Sequence, residues 1–574
     1  MAVSPPRAVH PPATGTAPER CYQRAVTTRN PRRRHAAAVL LAAALLLVTA
    51  CTRPEKEAAE GYVDDARTLS FVAGSEQEKV IEAVVEPWCA QRGLTCAFTL
   101  KGSVDQARLL AGGSRDYDAY WFASSVFLQV GDAANVLQDV EPMFLTPIVF
   151  AGWRSEMERL GFAGESDVPI ERILTAVESG DTSVWVTNPT QSNSGATVLF
   201  GFLNHFAGNG PGQALTREQL DAKAVDEGIT RFIRAMDATP PSSGTLMNDC
   251  VARPDACRTL FTYEDLVIEK NQELVAQGRE PLVVTYPKGA LAISDAPLGF
   301  FPHGTASDAG KRQALGELRN HLLTDPGARE KLLDLGRRPV TGVGLSLENA
   351  DPAVFNPAWG IRATLTEQPI QYPAAPVIEA ALDRYQTHYR RPVDVYYCLD
   401  GSGSMADNHG WDGVEEAGRQ IFDQERAALT FLRTHPEDRT TVTVFNDGTA
   451  AGPWTVEGND PAAMRRLSDD VTAYDPGGGT NMYGCLAQAG AELAGRPVAG
   501  RKRLVVLMTD GMSTRDGAEA ALAAVRAAGA PVVAIAFGAD ADPAQLREAA
   551  QATGGAYFAQ DDLVTALRQA AAYK

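Results

Sequence analysis

The sequence predicts an α/β fold in more than one domain, on three observations. Short apolar strands alternate with amphipathic helices over residues 68–344 and again from residue 393 to the end. The chain has 574 residues, more than one hydrophobic core usually serves. Two strands of buried type, 393–399 and 503–509, each run into an Asp-Gly pair, Asp400-Gly401 and Asp510-Gly511. Ligands of open parallel sheets sit beyond such C-terminal strand ends.

Composition narrows the partners. Hydrophobic residues make up 45% of the chain and the formal net charge is −18. Binding to phosphate backbones needs clustered Lys and Arg, so nucleic acid is not expected. A cation and a solvated surface both suit this acidity.

The first 50 residues differ from the rest. Residues 1–30 are rich in Pro, Ala, Thr and Arg, then Arg32-Arg33-Arg34 precedes an apolar run over residues 36–48. A bilayer span takes roughly 20 residues. A basic stretch, a short apolar core and small residues at the end read instead as an export signal. A single transmembrane anchor is the other reading. The run closes on Leu47-Val48-Thr49-Ala50-Cys51, which resembles the bacterial lipobox. That resemblance implies a lipid on Cys51 and attachment to the outer face of the bacterial cell membrane, with each buried CH₂ contributing about 0.8 kcal/mol. Residues 51–67 are charged and read as a tether.

Six further cysteines fall as Cys89/Cys96, Cys250/Cys257 and Cys398/Cys485. An exported chain meets an oxidising space. The two seven-residue spacings are therefore expected to be disulfides, each worth about 2.5 kcal/mol by the loop-entropy argument. Cys398 and Cys485 either pair or remain buried thiols; the sequence leaves both open. Zinc is not expected, because no His stands at ligand spacing.

The front region, residues 68–345, repeats strand, turn and helix. Residues 69–73 form a strand and Gly74-Ser75-Glu76 a turn. A helix over 77–91 is expected to kink or end near Pro87. Strands over 96–100 and 117–122 meet Lys101-Gly102-Ser103 and Ala123-Ser124-Ser125. The stretch Asn188-Pro189-Thr190-Gln191-Ser192-Asn193-Ser194-Gly195 leads into another helix, and further strands carry Tyr263 and Tyr286. This alternation predicts parallel sheets. Ser75, Ser103, Ser124, Ser125, Ser194 and Gly195 stand at strand ends or helix starts, where backbone N–H groups attract polar ligands. Each serine is also a ready N-cap, worth about 1 kcal/mol. The order of elements resembles a two-lobed bacterial extracellular solute-binding protein, periplasmic-binding-protein-like in fold. That resemblance implies a small solute in a cleft closed by hinge motion, with those residues, Tyr263 and Tyr286 as candidate contacts. Residues 346–390 read as a proline-rich extended connector ending in a short helix.

Residues 391–574 form the last domain. Asp400-Gly401-Ser402-Gly403-Ser404 places one carboxylate and two hydroxyls at alternate positions. Thr480 follows the flexible Asp475-Pro476-Gly477-Gly478-Gly479 loop, and Asp510 ends a second strand. Asp400, Ser402, Ser404, Thr480 and Asp510 make an all-oxygen set, suited to a hard cation: Mg²⁺, or Mn²⁺ or Ca²⁺. These residues resemble the metal-ion-dependent adhesion site (MIDAS) of von Willebrand factor type A (VWA) domains, over about 180 residues. The resemblance implies a Rossmann-like domain with a mostly parallel central sheet. It also implies a partner protein that completes the metal shell with an acidic side chain.

No phosphate-binding GxxxxGK[ST] loop and no convincing Ser-His-Asp order is present, so an enzyme is not expected. The functions that remain are a lipid-anchored binding protein with a solute domain and a cation domain, or an adhesion or assembly scaffold whose front domain binds no solute. A metal-dependent hydrolase would need a general base near the ion, and the sequence offers none.

Overall fold

The structure is a computed structural model. It describes residues 62–574 except 166, 211, 341–346, 348–349, 408–409, 499, 511–512, 538–542, 560–565, 568–569 and 571–574. The export signal, Cys51 and most of the tether lie outside the described residues. No helix among the described residues is long and apolar enough to cross a membrane.

The front region is built on two sheets. The first runs in the order Thr95–Leu100, Thr68–Ala73, Ala119–Trp121, Pro297–Phe300, Gln138–Pro142. Its first three strands are parallel, and Pro297–Phe300 is antiparallel to both of its neighbours. The second runs Asp167–Pro169, Leu282–Lys288, Thr146–Trp153, Thr259–Tyr263, Val184–Trp185, with Ile293–Ser294 also pairing Thr146–Trp153. Thr146–Trp153 is antiparallel to the strands on both sides. The expected parallel sheets are therefore mixed. The chain leaves the first sheet at Pro142, enters the second at Thr146, and returns between Ser294 and Pro297. Those short crossings reverse strand direction, and alternation in sequence does not reveal them. They divide the region into two lobes.

The helix expected over residues 77–91 is segmented: a 3₁₀ turn at Ser75–Gln77, an α turn, a π turn at Ile81–Val85, then Glu86–Arg92. Pro87 sits in the first turn of that last segment, so its missing N–H is accommodated after the π turn rather than by ending the helix. Disulfides join Cys89 to Cys96 and Cys250 to Cys257.

Residues 346–390 are not the extended connector expected from their prolines. Phe355, Trp359, Ile361, Leu365, Ile378, Leu382, Tyr385 and Tyr389 are buried in the same core as the second lobe. Prolines signalled the missing regular structure, but the aromatic spacing set the packing.

The C-terminal region is one six-stranded sheet. Its order is Thr449–Glu457, Arg439–Phe445, Val393–Asp400, Lys502–Thr509, Val532–Ala536, Ala556–Phe558. All pairs are parallel except the first. Alternation on the central strand divides the core. Val395, Tyr397 and Leu399 pack on one face with the helix Gly410–Phe422. Tyr396 and Cys398 pack on the other with the helix Met482–Gly495. This region is fastened to the front by Arg390, which donates to both Asp438 oxygens at 3.0 and 2.6 Å. The Arg433–Asp383 pair adds a contact at 2.9 Å.

Candidate cation site and interlobe cleft

Three segments distant in sequence meet at the C-terminal end of the last sheet. Asp400 ends the central strand, fully buried, and its Oδ1 accepts from Ser402 N at 2.9 Å. That bond closes a tight turn and brings Ser402 Oγ to 3.2 Å from Ser404 Oγ. The neighbouring strand places Met508 opposite Leu399, so Thr509 stands beside Asp400. Thr509 donates its hydroxyl to Asp400 Oδ2. Asp510 follows, buried at 2% exposure.

The third segment is the loop before Thr480. Gly403 N donates to Gly478 O at 3.1 Å, and Gly477 N to Gly401 O at 2.8 Å. Asn446 Nδ2 donates to Gly477 O at 3.0 Å, and Ser513 Oγ to Thr480 O at 3.2 Å. These bonds hold the Thr480 loop against both strand ends. A disulfide joins Cys398, on the central strand, to Cys485 on the helix that follows Thr480. Of the two states the sequence left open, the structure has the pair.

The donor set suits a hard divalent ion: two carboxylates and three hydroxyls, all oxygen. Burial raises the Asp400 carboxyl to about 6, and the nearby Asp510 charge pushes the same way, against the Thr509 and Ser402 hydrogen bonds. A bound cation would relieve that strain on the ionised form. Among the described residues no group of three or more His, Cys, Asp or Glu could hold a metal. Hydroxyls carry most of this candidate site.

The second candidate lies between the front lobes. Gly244 N, of the second lobe, donates to Ser75 Oγ of the first at 3.2 Å. Gly102 lies so close to the second lobe that a Cβ there would meet Gln191 O at 2.1 Å. Ser194 is fully buried, with its hydroxyl 2.8 Å from Thr187 Oγ1 and 2.9 Å from Ser243 Oγ. A Cβ on Gly195 would meet Thr187 O at 2.0 Å, so that glycine serves close packing. Asn193 Nδ2 donates to Tyr263 OH and Ser294 Oγ, both at 2.9 Å.

The other expected contacts have internal partners. Ser103 Oγ accepts from Ala123 N at 2.8 Å. Ser124 caps its helix by accepting from Val126 N at 3.3 Å. Ser125 donates from N and Oγ to Asp295, on the return crossing. Tyr286 donates to Glu264, which also pairs with Arg338, and accepts from Arg362 N at 3.1 Å. Tyr286 thus anchors residues 338 and 362 to the second lobe. The structure brings Ser75, Ser194 and Tyr263 to the seam, while Ser103 is bonded within the first lobe. Ser124 and Ser125 stand at a cap and a crossing.

Buried amides and acids stand beside the strand-end serines. Glu76 and Gln77 come from the first turn, Gln106 from the helix Ser103–Ala111, Gln191 from the loop before Asn193, and Asp265 from the start of the helix Glu264–Ala276. All are buried. Glu76 and Asp265 come from opposite lobes; burial pushes them up to about 7 and about 6, with the Asp265 charge adding to the rise of Glu76 and the Glu264 charge to that of Asp265. Arg337, buried, pairs with Asp265 at 3.2 Å and with Glu269. The sequence signal that could have found them is polar amides in strand-end turns that are otherwise apolar.

Residues 69–329 match the bacterial extracellular solute-binding protein family, and residues 394–571 match the von Willebrand factor type A domain. The chain carries a bacterial extracellular solute-binding domain followed by a VWA domain. Such domains are typically non-catalytic. The search of curated proteins found no match. Among solved structures the chain is similar to the sulfate-binding protein SubI from Mycobacterium tuberculosis H37Rv. Identity is 16%, 55% of this chain and 98% of that one are covered, and the TM-score is 0.38. It is also similar to a periplasmic thiamin binding protein, at 11% identity, covering 55% and 92%, with a TM-score of 0.38. A von Willebrand factor type A structure from Catenulispora acidiphila is similar at 21% identity, covering 33% and 43%, with a TM-score of 0.27. None of these likenesses carries a ligand across to this chain.

Proposed function

We propose that this chain is an exported, lipid-anchored binding protein of the bacterial cell surface. Its front domain, residues 68–345, holds a small solute between two lobes. Its VWA domain, residues 391–574, engages a partner protein through one divalent cation held by Asp400, Ser402, Ser404, Thr480 and Asp510. The observation that carries the cation reading is the convergence of Asp400, Asp510 and the Thr480 loop at one sheet edge. A metal there would supply an electrophilic centre for an acidic side chain of the partner. The chain's own residues orient the oxygens and exclude most water from the two carboxylates.

Thermal unfolding with added Mg²⁺ tests the site. The parent is expected to gain stability with Mg²⁺ and to lose it with EDTA, while Asp400→Ala shows no Mg²⁺ response. Equal Mg²⁺ curves for variant and parent would sink the assignment. A membrane pull-down with and without EDTA then tests the partner. Capture that ignores EDTA would overturn cation-dependent contact.

A further inference from the structure

The interlobe seam has an uneven hydrogen-bond inventory. Gln106 Nε2 donates to Lys101 O at 2.9 Å and Trp121 O at 3.3 Å, while its Oε1 has no partner. Gln77 Nε2 donates to Glu76 Oε1 at 3.3 Å, and its Oε1 likewise has no partner. The Gln106 amide is oriented by these bonds, since a flip would set its oxygen against two carbonyls, and ionised Glu76 orients Gln77 in the same way. Asn193 Nδ2 is set on the Tyr263 and Ser294 hydroxyls, which can equally donate, so either end of this amide is open to a solute. Gln191 has neither side-chain atom bonded. All four residues are no more than 1% exposed. A buried polar atom without a partner costs about 1–3 kcal/mol, so a cluster of them calls for an occupant.

These residues stand on the turns and helix starts that border the seam. Gln106 and Gln77 lie at the C-terminal edge of the first lobe's sheet, after the strands that end in Leu100 and Ala73. The backbone carbonyl of Gln191 lies against Gly102, and Gln106 N donates to Gly102 O at 3.0 Å. Asn193 reaches Tyr263, whose phenol feels the charges of Glu76 and Asp265. The unmet groups are mostly acceptors. The charges lean the same way: Glu76, Asp265 and Glu269 surround one guanidinium, Arg337, which is already engaged by Asp265 and Glu269. Glu264 and Arg338 balance each other.

Resting on the solute-binding reading above, we infer that the cleft takes a cationic solute rich in N–H donors, such as a primary amine or a guanidine, and not an oxyanion. Its N–H groups meet the oxygens of Gln77, Gln106 and Asn193, and its charge lies near Glu76 and Asp265. An oxyanion would find few donors and would add charge beside three carboxyls. Burial outweighs the pull of Arg337 and holds Glu76 at about 7, so an arriving cation favours its ionised form.

Calorimetric titration of the whole exported chain decides it. The probes are spermidine, arginine and putrescine on one side, and sulfate, phosphate and glucose on the other, in buffer of fixed ionic strength. An amine or guanidine is expected to bind and to raise the unfolding temperature. Gln106→Leu and Gln77→Leu, each removing one acceptor, are expected to weaken that binding about tenfold or more. Binding of sulfate, phosphate or glucose without the cations would overturn the solute class and leave solute binding standing. Cation binding unchanged in both variants would place it elsewhere on this acidic surface and overturn the inference. Silence from all six probes would overturn both readings.

Discussion

Cys398 and Cys485 are joined across the VWA domain with their Cα atoms 6.0 Å apart. Cys398 stands two residues before Asp400, and Cys485 lies in the first turns of the helix that begins just after Thr480. The bond ties two of the three segments of the cation site together beneath it. The loop it closes spans 87 residues of sequence separation, which is worth about 4.6 kcal/mol by the loop-entropy argument. The double variant Cys398→Ser/Cys485→Ser is expected to unfold at lower denaturant by up to that amount, and to need more Mg²⁺ for half-saturation. An unchanged Mg²⁺ midpoint would show that the bond serves stability alone.

Among the described residues Arg337 is the one guanidinium paired with Asp265 and Glu269, and all three are buried. Arg337→Ala leaves two acids without their counter-charge. A loss of about 3–5 kcal/mol is expected, measured by urea unfolding. Recovery in Arg337→Ala/Asp265→Asn/Glu269→Gln would assign that loss to the stranded charges.

Glu76 gives the solute-free protein a pH dependence of defined sign. Burial raises its folded carboxyl to about 7, above the ordinary carboxylate range. The native state therefore holds the proton more tightly than the unfolded chain. That contribution is complete below the unfolded pKa and is lost as pH rises through about 7. Urea midpoints of the parent are expected to fall between pH 5 and pH 8, and Glu76→Gln to flatten that fall. A steeper fall in the variant would contradict the assignment.

Arg108 of the front domain stacks its guanidinium over the Phe431 ring of the VWA domain, 4.7 Å from the centroid. Phe431 has a φ of +50°, a strained value for a bulky residue, and presents its ring to the front domain. Arg108→Ala is expected to cost about 1 kcal/mol and to speed proteolysis between the domains. Arg108→Lys keeps the charge but loses the plane, and is expected to recover only part. Identical cleavage rates in all three proteins would remove this contact as a fastener.

The α/β class and the strand ends that carry the candidate cation residues were legible because each is a local pattern. Buried strands end in Asp-Gly, and Asp400, Ser402 and Ser404 alternate within one turn. The mixed order of the front sheets was not legible, since the crossings at residues 143–145 and 295–296 are too short to mark a change of sheet. Residues 346–390 misled for a related reason: prolines report the absence of regular structure, and Trp359 or Tyr385 found a core only through distant partners.

The sequence by itself determined which residues could end strands, cap helices and offer oxygen to a cation. Local backbone preference and side-chain chemistry are properties of neighbouring residues. Only the tertiary structure decided which of them meet. It set the Thr480 loop against Gly401 and Gly403, and it gave Ser124 to a helix cap. It also left the Gln77 and Gln106 oxygens buried without partners beside the seam. Those outcomes depend on long-range packing and on which polar atoms burial leaves without water.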